Sequence, residues 1–290
     1  MTASIKAIRM DPPNSSPPTS ATGNALAQLL AKKRPLVMGV LNVTPDSFFA
    51  GSRYPEPRAA VAHAERLVAE GADILDVGAE STRPYGGAVA VEADEERARL
   101  EPVLSEVITL GVPVSIDTKK ATIATWAVDL GAAVVNDVWG LQGDPEMAGI
   151  AASRGVPIIV MHNRDKAAID IISDVTSFFE RSIELAALAG IPRDHIVLDP
   201  GIGFGKTPEQ SVTCIARLAA WRGFGLPLLV GASRKRFIQS IVPSEPVARL
   251  GGSVAAHLLA VQNGAAIVRV HDVAATVQAL AVAGAIGRAR

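Results

Sequence analysis

Pro35-Leu36-Val37-Met38-Gly39-Val40-Leu41-Asn42-Val43-Thr44-Pro45-Asp46-Ser47-Phe48-Phe49 is the stretch on which the fold turns. Leu36 to Leu41 is apolar without alternation, the pattern of a strand buried on both faces in a parallel sheet. The run then breaks into Asn42, Thr44, Asp46 and Ser47, with Pro45 forcing a turn. Short oxygen-bearing side chains at the carboxyl end of a parallel strand are where α/β proteins place ligand sites. The same residues also suit an ordinary turn, and the other strand ends decide between the two.

Outward from this stretch the chain repeats one cadence. A helical pattern over 57–70, with Val61, Ala64, Leu67 and Val68 on one face, stops at Gly71 and leads into G-A-D-I-L-D-V-G. Leu130-Gly131-Ala132-Ala133 leads likewise into V-V-N-D, and Asn263-Gly264-Ala265-Ala266 into I-V-R-V-H-D. Strands are expected at 36–41, 73–78, 113–117, 133–137, 156–161, 195–199, 226–231 and 266–270, with helical patterns between nearly all of them and no hairpin signal. Eight βα units favour a single (β/α)8 TIM barrel. A doubly wound open sheet is the alternative, but it usually carries a glycine-rich phosphate loop after its first strand, where this chain has N-V-T-P-D.

Residues 11–20, D-P-P-N-S-S-P-P-T-S, cannot form regular structure and precede no apolar segment of a signal peptide. Residues 1–34 are therefore expected to be a mostly disordered lead-in. The domain is expected over 35–290, a length of 256 residues, close to the roughly 250 of a typical barrel. Of the 290 residues 49% are hydrophobic and 20% charged, with a net charge of -1. That balance suits a soluble globular chain and argues against a nucleic-acid partner. No apolar run reaches the ~18 residues of a membrane span. Cys214, the single cysteine, excludes a disulfide framework and a thiolate zinc cluster, reads as a buried structural thiol, and fits the cytoplasm.

Polar residues gather at the strand ends: Glu80 to Gly87, Asp117-Thr118, Asn136-Asp137, Met161-His162, L-D-P-G-I-G-F-G-K (198–206), G-A-S-R-K-R (231–236) and R-V-H-D (269–272). Any one could be bland, with Asp117 or Asp137 as helix caps, Met161-His162 as packing, or Lys235 and Arg236 as a solvated face. Seven at once imply a shared pocket at the end of the barrel where such enzymes act. Asp117, Asp199 and Asn136 suit a flat heterocycle with N–H and C=O groups along its edge, because buried polar groups demand partners. Lys235, Arg269 and His271, cationic or nearly so, suit a phosphate or diphosphate. A helix opening after Ser233-Arg234-Lys235 would add an anion site. Asn42, with Asp46 near it, offers hard oxygen ligands for Mg²⁺ shared with substrate phosphates.

These motifs, together with L-N-V-T-P-D-S-F (41–48), G-A-E-S-T-R-P (78–84), S-I-D-T (115–118) and V-M-H (160–162), resemble the dihydropteroate synthase family, in its order, over about 36–288. The resemblance implies a TIM barrel condensing 6-hydroxymethyl-7,8-dihydropterin diphosphate with 4-aminobenzoate to give 7,8-dihydropteroate and diphosphate, on the folate pathway. It implies that Asn42 ligates Mg²⁺ and that Asp117, Asn136, Asp199 and Lys235 line a pterin slot. Arg269 would pack on the pterin and hold the diphosphate with His271. Thr82, Arg83, Pro84 and Phe204 would border the aminobenzoate subsite, with Arg83 acting on a lid. The family implies a homodimer and a target of sulfonamides. Tyr85-Gly86-Gly87, Asn163 and Arg236 depart from its common pattern. A methyltransferase moving a methyl group from a reduced folate to a corrinoid protein, or a silent pterin-binding paralogue, would share the barrel. Neither explains the S-T-R-P segment with Arg269 and His271.

Overall fold

A computed structural model of the chain describes residues 25–32, 34–44, 57–80, 91–165 and 169–289. Eight parallel strands follow one another: β1 Leu36–Asn42, β2 Ile74–Gly78, β3 Val114–Asp117, β4 Val134–Asp137, β5 Ile158–Met161, β6 Ile196–Asp199, β7 Leu229–Val230 and β8 Ile267–Val270. β1 pairs with β8 as well as with β2. Between β6 and β7 the ring is closed by a Leu198–Leu228 bridge and by the Leu198 amide, which donates to the Pro227 carbonyl at 2.9 Å. The closure makes this the expected (β/α)8 barrel and excludes the open sheet. β7 is the strand that falls furthest short of its expected span (226–231), because Pro227 has no N–H to give to a ladder.

The helices are α1 Ala25–Leu30, α2 Pro57–Ala69, α3 Ala93–Ile108, α4 Ala121–Leu130, α5 Met147–Arg154, α6 Ile171–Ala189, α7 Pro208–Ala216, α8 Arg236–Ile241, α9 Leu250–Gln262 and α10 Val273–Arg288. α2 buries Ala60, Val61, Ala64 and Leu67, the three-to-four spacing of a single helical stripe.

Side chains alternate across a strand, and the alternation sorts the core into two layers. Val37, Leu41, Leu75, Val77, Ile116 and Val135 face outward and pack against the helices. Leu36, Met38, Ile74, Val134, Ile159, Val197, Leu229 and Ile267 form a second cluster that fills the barrel interior near the strand starts. Leu26 of α1, 2% exposed, joins that inner cluster, with Leu29 and Leu30 packed against it. Here the structure differs from the expected lead-in, since residues 25–30 cover the end of the barrel opposite the strand termini. Apolar periodicity over six residues is too short to announce a helix; the inner cluster supplies the reason for it. Arg34 then fixes the entry to β1 by donating to both oxygens of Asp73 at 2.9 and 2.6 Å.

Burying a leucine side chain contributes about 1.5–3 kcal/mol, and truncating it in a core costs about 2–5 kcal/mol. Leu26→Ala should therefore lower the melting temperature by roughly 4 °C or more, while leaving activity at the far end of the barrel unchanged. Thermal melts and assays run side by side check both halves.

Candidate active site

Two residues beyond the inner apolar layer, at the next inward position of each strand, the chemistry changes. Ile74 is followed by Asp76, Val134 by Asn136, Ile159 by Met161, Val197 by Asp199, and Ile267 by Arg269. Asp117 ends β3 at the same level, its Cα in register with that of Asn136. Asp117, Asn136, Val138, Met161, Asp199, Ile202, Phe204, Gly231, Lys235 and Arg269 line one cup with about 300 Å³ of empty space. The structure thus brings Asp117, Asn136, Asp199 and Lys235, expected to line the slot, together with Arg269, expected to pack on its ligand, and with Phe204, expected at the neighbouring subsite.

Arg269 organises the cup. Its Nε donates to Asp76 at 2.5 Å and its Nη2 to Asp117 at 2.7 Å. Asn136 Nδ2 also donates to Asp76, at 3.1 and 3.3 Å to the two oxygens. Burial works against the guanidinium charge, and the two carboxylates more than offset it, holding its pKa above the usual value. Asp117 is left short. Asp76 takes much of the shared cation, Asp117 Oδ1 is buried with no hydrogen-bond partner among the described residues, and burial with the Asp76 charge pushes its pKa up to about 7 despite Arg269. Asp199 is likewise pushed by burial to about 6 while accepting the Gly201 N–H at 2.8 Å.

Lys235 sits with Nζ 4.0 Å from the centroid of the Phe204 ring, and burial followed by the Arg269 charge lowers its pKa to about 7. His271 departs from the expectation of a near-cationic group. Burial and Arg269 push it down to about 3, so it is a neutral imidazole at pH 7. Its backbone N–H donates to Ser233 Oγ at 3.2 Å and its Nδ1 lies 3.0 Å from the same hydroxyl. Asp137 takes the bland role: it accepts the Trp139 and Leu141 amides at 2.9 and 2.6 Å and closes a turn. The helix expected after Ser233-Arg234-Lys235 begins at Arg236, with Lys235 as its N-cap. Asn42 ends β1 half-buried, in register with Gly78. Thr82, Arg83, Pro84 and Asp46 lie outside the described residues.

Two site residues escaped the sequence reading. Asp76 is fully buried inside I-L-D-V-G; a carboxylate in the middle of an apolar parallel strand was the available signal, since it must find a cation. Lys206, 3% exposed, was noted only as a motif's last letter. Its ammonium donates to the carbonyls of Gly201 and Phe204 at 2.9 and 3.1 Å and to His162 Nδ1 at 2.7 Å, which folds the 199–206 loop around one charge. His162 Nε2 lies 3.1 Å from Asp174, and burial and Lys206 push the imidazole down to about 3. The loop also lies backbone to backbone on the one before it. A Cβ at Gly201 would stand 2.0 Å from the His162 carbonyl oxygen, and one at Gly205 1.9 Å from that of Arg164.

A family model described as pterin binding enzyme matches residues 38–271. The dihydropteroate synthase of Bacillus subtilis is 45% identical over 244 residues, covering 83% of this chain and 85% of that protein. The chain belongs to the dihydropteroate synthase family. Among solved members, the Xanthomonas albilineans enzyme in complex with 7,8-dihydropteroate superposes with a TM-score of 0.81 at 42% identity, over 88% of this chain and 94% of that one. The Yersinia pestis enzyme in a sulfonamide complex gives 0.82 at 39% identity, over 88% and 95%. The family resemblance stated from the motifs therefore holds over the whole barrel.

The shortfall at Asp117 has a measurable consequence. A carboxyl whose folded pKa lies above its unfolded value contributes stability at low pH, and that contribution is lost as pH rises through about 7. Asp117→Asn cannot ionise. It should match wild type in stability near pH 4 and exceed it near pH 8, by about 1–3 kcal/mol, the usual cost of a buried polar group short of partners. Denaturant unfolding at the two pH values tests this, and equal stability at both would refute the assignment.

Proposed function

We propose that this chain condenses 6-hydroxymethyl-7,8-dihydropterin diphosphate with 4-aminobenzoate, giving 7,8-dihydropteroate and diphosphate. The observation that carries the substrate assignment is a cup lined by Asp117, Asn136 and Asp199, with Asp117 Oδ1 buried and without a hydrogen-bond partner among the described residues. Acceptors in that setting select a flat ligand whose edge bears N–H groups, because a ligand lacking them leaves the acceptors unpaired.

In the reaction the bond from the pterin methylene to the diphosphate oxygen breaks, and the oxygen leaves with the bonding pair. A bond from the methylene to the aromatic amine forms, and the amine then releases a proton. An aromatic amine is a neutral nucleophile at pH 7, so no strong base is required. Asp117, Asn136 and Asp199 hold the pterin edge. Arg269 lies against the ring and, with Lys235 and His271, meets the charge that develops on the leaving diphosphate, the usual dominant contribution in such displacements. Phe204 forms a wall of the amine subsite, to which we also assign Thr82, Arg83 and Pro84.

Asn42 is our candidate ligand for Mg²⁺. Among the described residues no group of three or more His, Cys, Asp or Glu side chains could cage an ion. A single amide oxygen fits an ion that keeps most of its shell as water and substrate phosphate oxygens. When bound, Mg²⁺ neutralises charge on the leaving group. No helix of the described residues is long and apolar enough to cross a membrane, and the buried thiol of Cys214 suits the reducing cytoplasm, where we place the enzyme.

A second copy of this chain is the partner we propose. α10 buries only Val273 and Thr276 although most of its residues are apolar, and it packs beside α9 with Leu259, Val282 and Ile286 exposed. Sedimentation of the purified chain should give a dimer, and a monomer at micromolar concentration would dismiss it.

Diphosphate release should require the pterin diphosphate, 4-aminobenzoate and Mg²⁺ together. Omitting either substrate should abolish release, and omitting Mg²⁺ should reduce the rate by at least ~10²-fold, the scale of losing one strong transition-state contact. Methyl transfer to a corrinoid protein, or binding of the pterin diphosphate without turnover, would overturn the reading.

A further inference from the structure

The loop Gly231–Lys235 delivers Lys235 to the cup, yet the strand before it contributes only Leu229 and Val230 to the sheet. The loop is held from the β8 side, where Ser233 Oγ accepts the His271 N–H and Arg234 donates to Asp272, and from α9. Arg249, Ser253 and His257 are spaced four apart, so they share one helical face, and all three are buried, at 5, 3 and 1% exposure. Ser253 Oγ accepts the Arg234 N–H at 2.9 Å and donates to the Arg249 carbonyl at 2.7 Å. His257 Nε2 accepts the Ala232 N–H at 3.1 Å, and Arg249 Nη1 donates to the Arg234 carbonyl at 3.0 Å. Arg234 itself has φ +56°, a left-handed conformation that a non-glycine residue keeps only where its surroundings hold it. α9 cannot shift easily toward its neighbour either, since a Cβ at Gly252 would lie 2.5 Å from Ile238 Cγ2 of α8.

We infer that Ser253 and His257 are positioning residues for Lys235: the polar face of α9 is the template that sets the ammonium over Phe204 in the cup. The inference rests on the proposed function and goes beyond it by placing part of the site's machinery on a helix that does not line the cup. Ordinary packing between a helix and a loop would instead cost stability alone, with no link to the Lys235 amine.

The two are separated by a double-mutant cycle in the full chain. Ser253→Ala should weaken binding of the pterin diphosphate by roughly 3- to 10-fold, the worth of one hydrogen bond. In a Lys235→Met background the same change should have less than about a 2-fold effect, because coupled residues are not additive. Ser253→Thr, which keeps the hydroxyl, should restore binding. His257→Phe, which removes the acceptor for Ala232, provides a second arm if Ser253→Ala does not fold. Acetylation of the Lys235 amine against pH reads its position without any substrate. The groups facing it are Asp199, Asp117, Arg269 and Lys206, and its midpoint near 7 should rise toward that of an ordinary lysine in either variant. Equal losses in both backgrounds, or an unmoved acetylation midpoint, would overturn the positioning role. Should wild type neither bind nor turn over the pterin diphosphate, the proposed function falls and the acetylation midpoint alone decides the role of α9.

Discussion

A single guanidinium ties the working end of this barrel together. Arg269, on the last strand, reaches carboxylates on the second and third, 193 and 152 residues earlier in the chain. A buried charge must be matched where it lies, so Asp76, Asp117 and Arg269 can enter the interior only together. Three carboxylates, Asp76, Asp117 and Asp199, then share a space with the cations Arg269 and Lys235, with Lys206 close enough to act on Asp199. Even so, Asp117 Oδ1 is left without a donor among the described residues, and an edge of ring N–H groups would supply one.

The barrel was legible because a parallel strand buried on both faces leaves a continuous apolar run, and all eight runs survive as strands. The site was legible where a polar residue ends such a run: Asp117, Asn136 and Asp199 each stand at or next to the end of a strand. It was not legible where the polar residue lies mid-run, as Asp76 does, or far away on a helix, as Ser253 and His257 do. Arg249, Ser253 and His257 read in sequence as scattered polar letters along a largely apolar helix; only the fold shows that their common face meets a loop. His271 was legible as a position but not in its charge, because burial and a neighbouring cation depend on packing that no motif encodes.

The two ends of the barrel are governed by different physics. At the strand starts, apolar volume fills the interior and α1 covers it, so that end concerns packing alone. At the strand ends the same inward positions carry charge and forgo part of that packing. The two layers are separated by two residues along each strand, which is one step of the pleat.

The contact between the loops after β5 and β6 bears on which ligands a substitution could escape. At Gly201 and Gly205 even a methyl group would drive into the opposing main chain, so neither position can accept a side chain without rebuilding the wall of the cup. A compound that draws its affinity from this stretch of backbone would press on a surface with no mutational exit. One that leans on the Phe204 ring touches a side chain that point mutation is free to change.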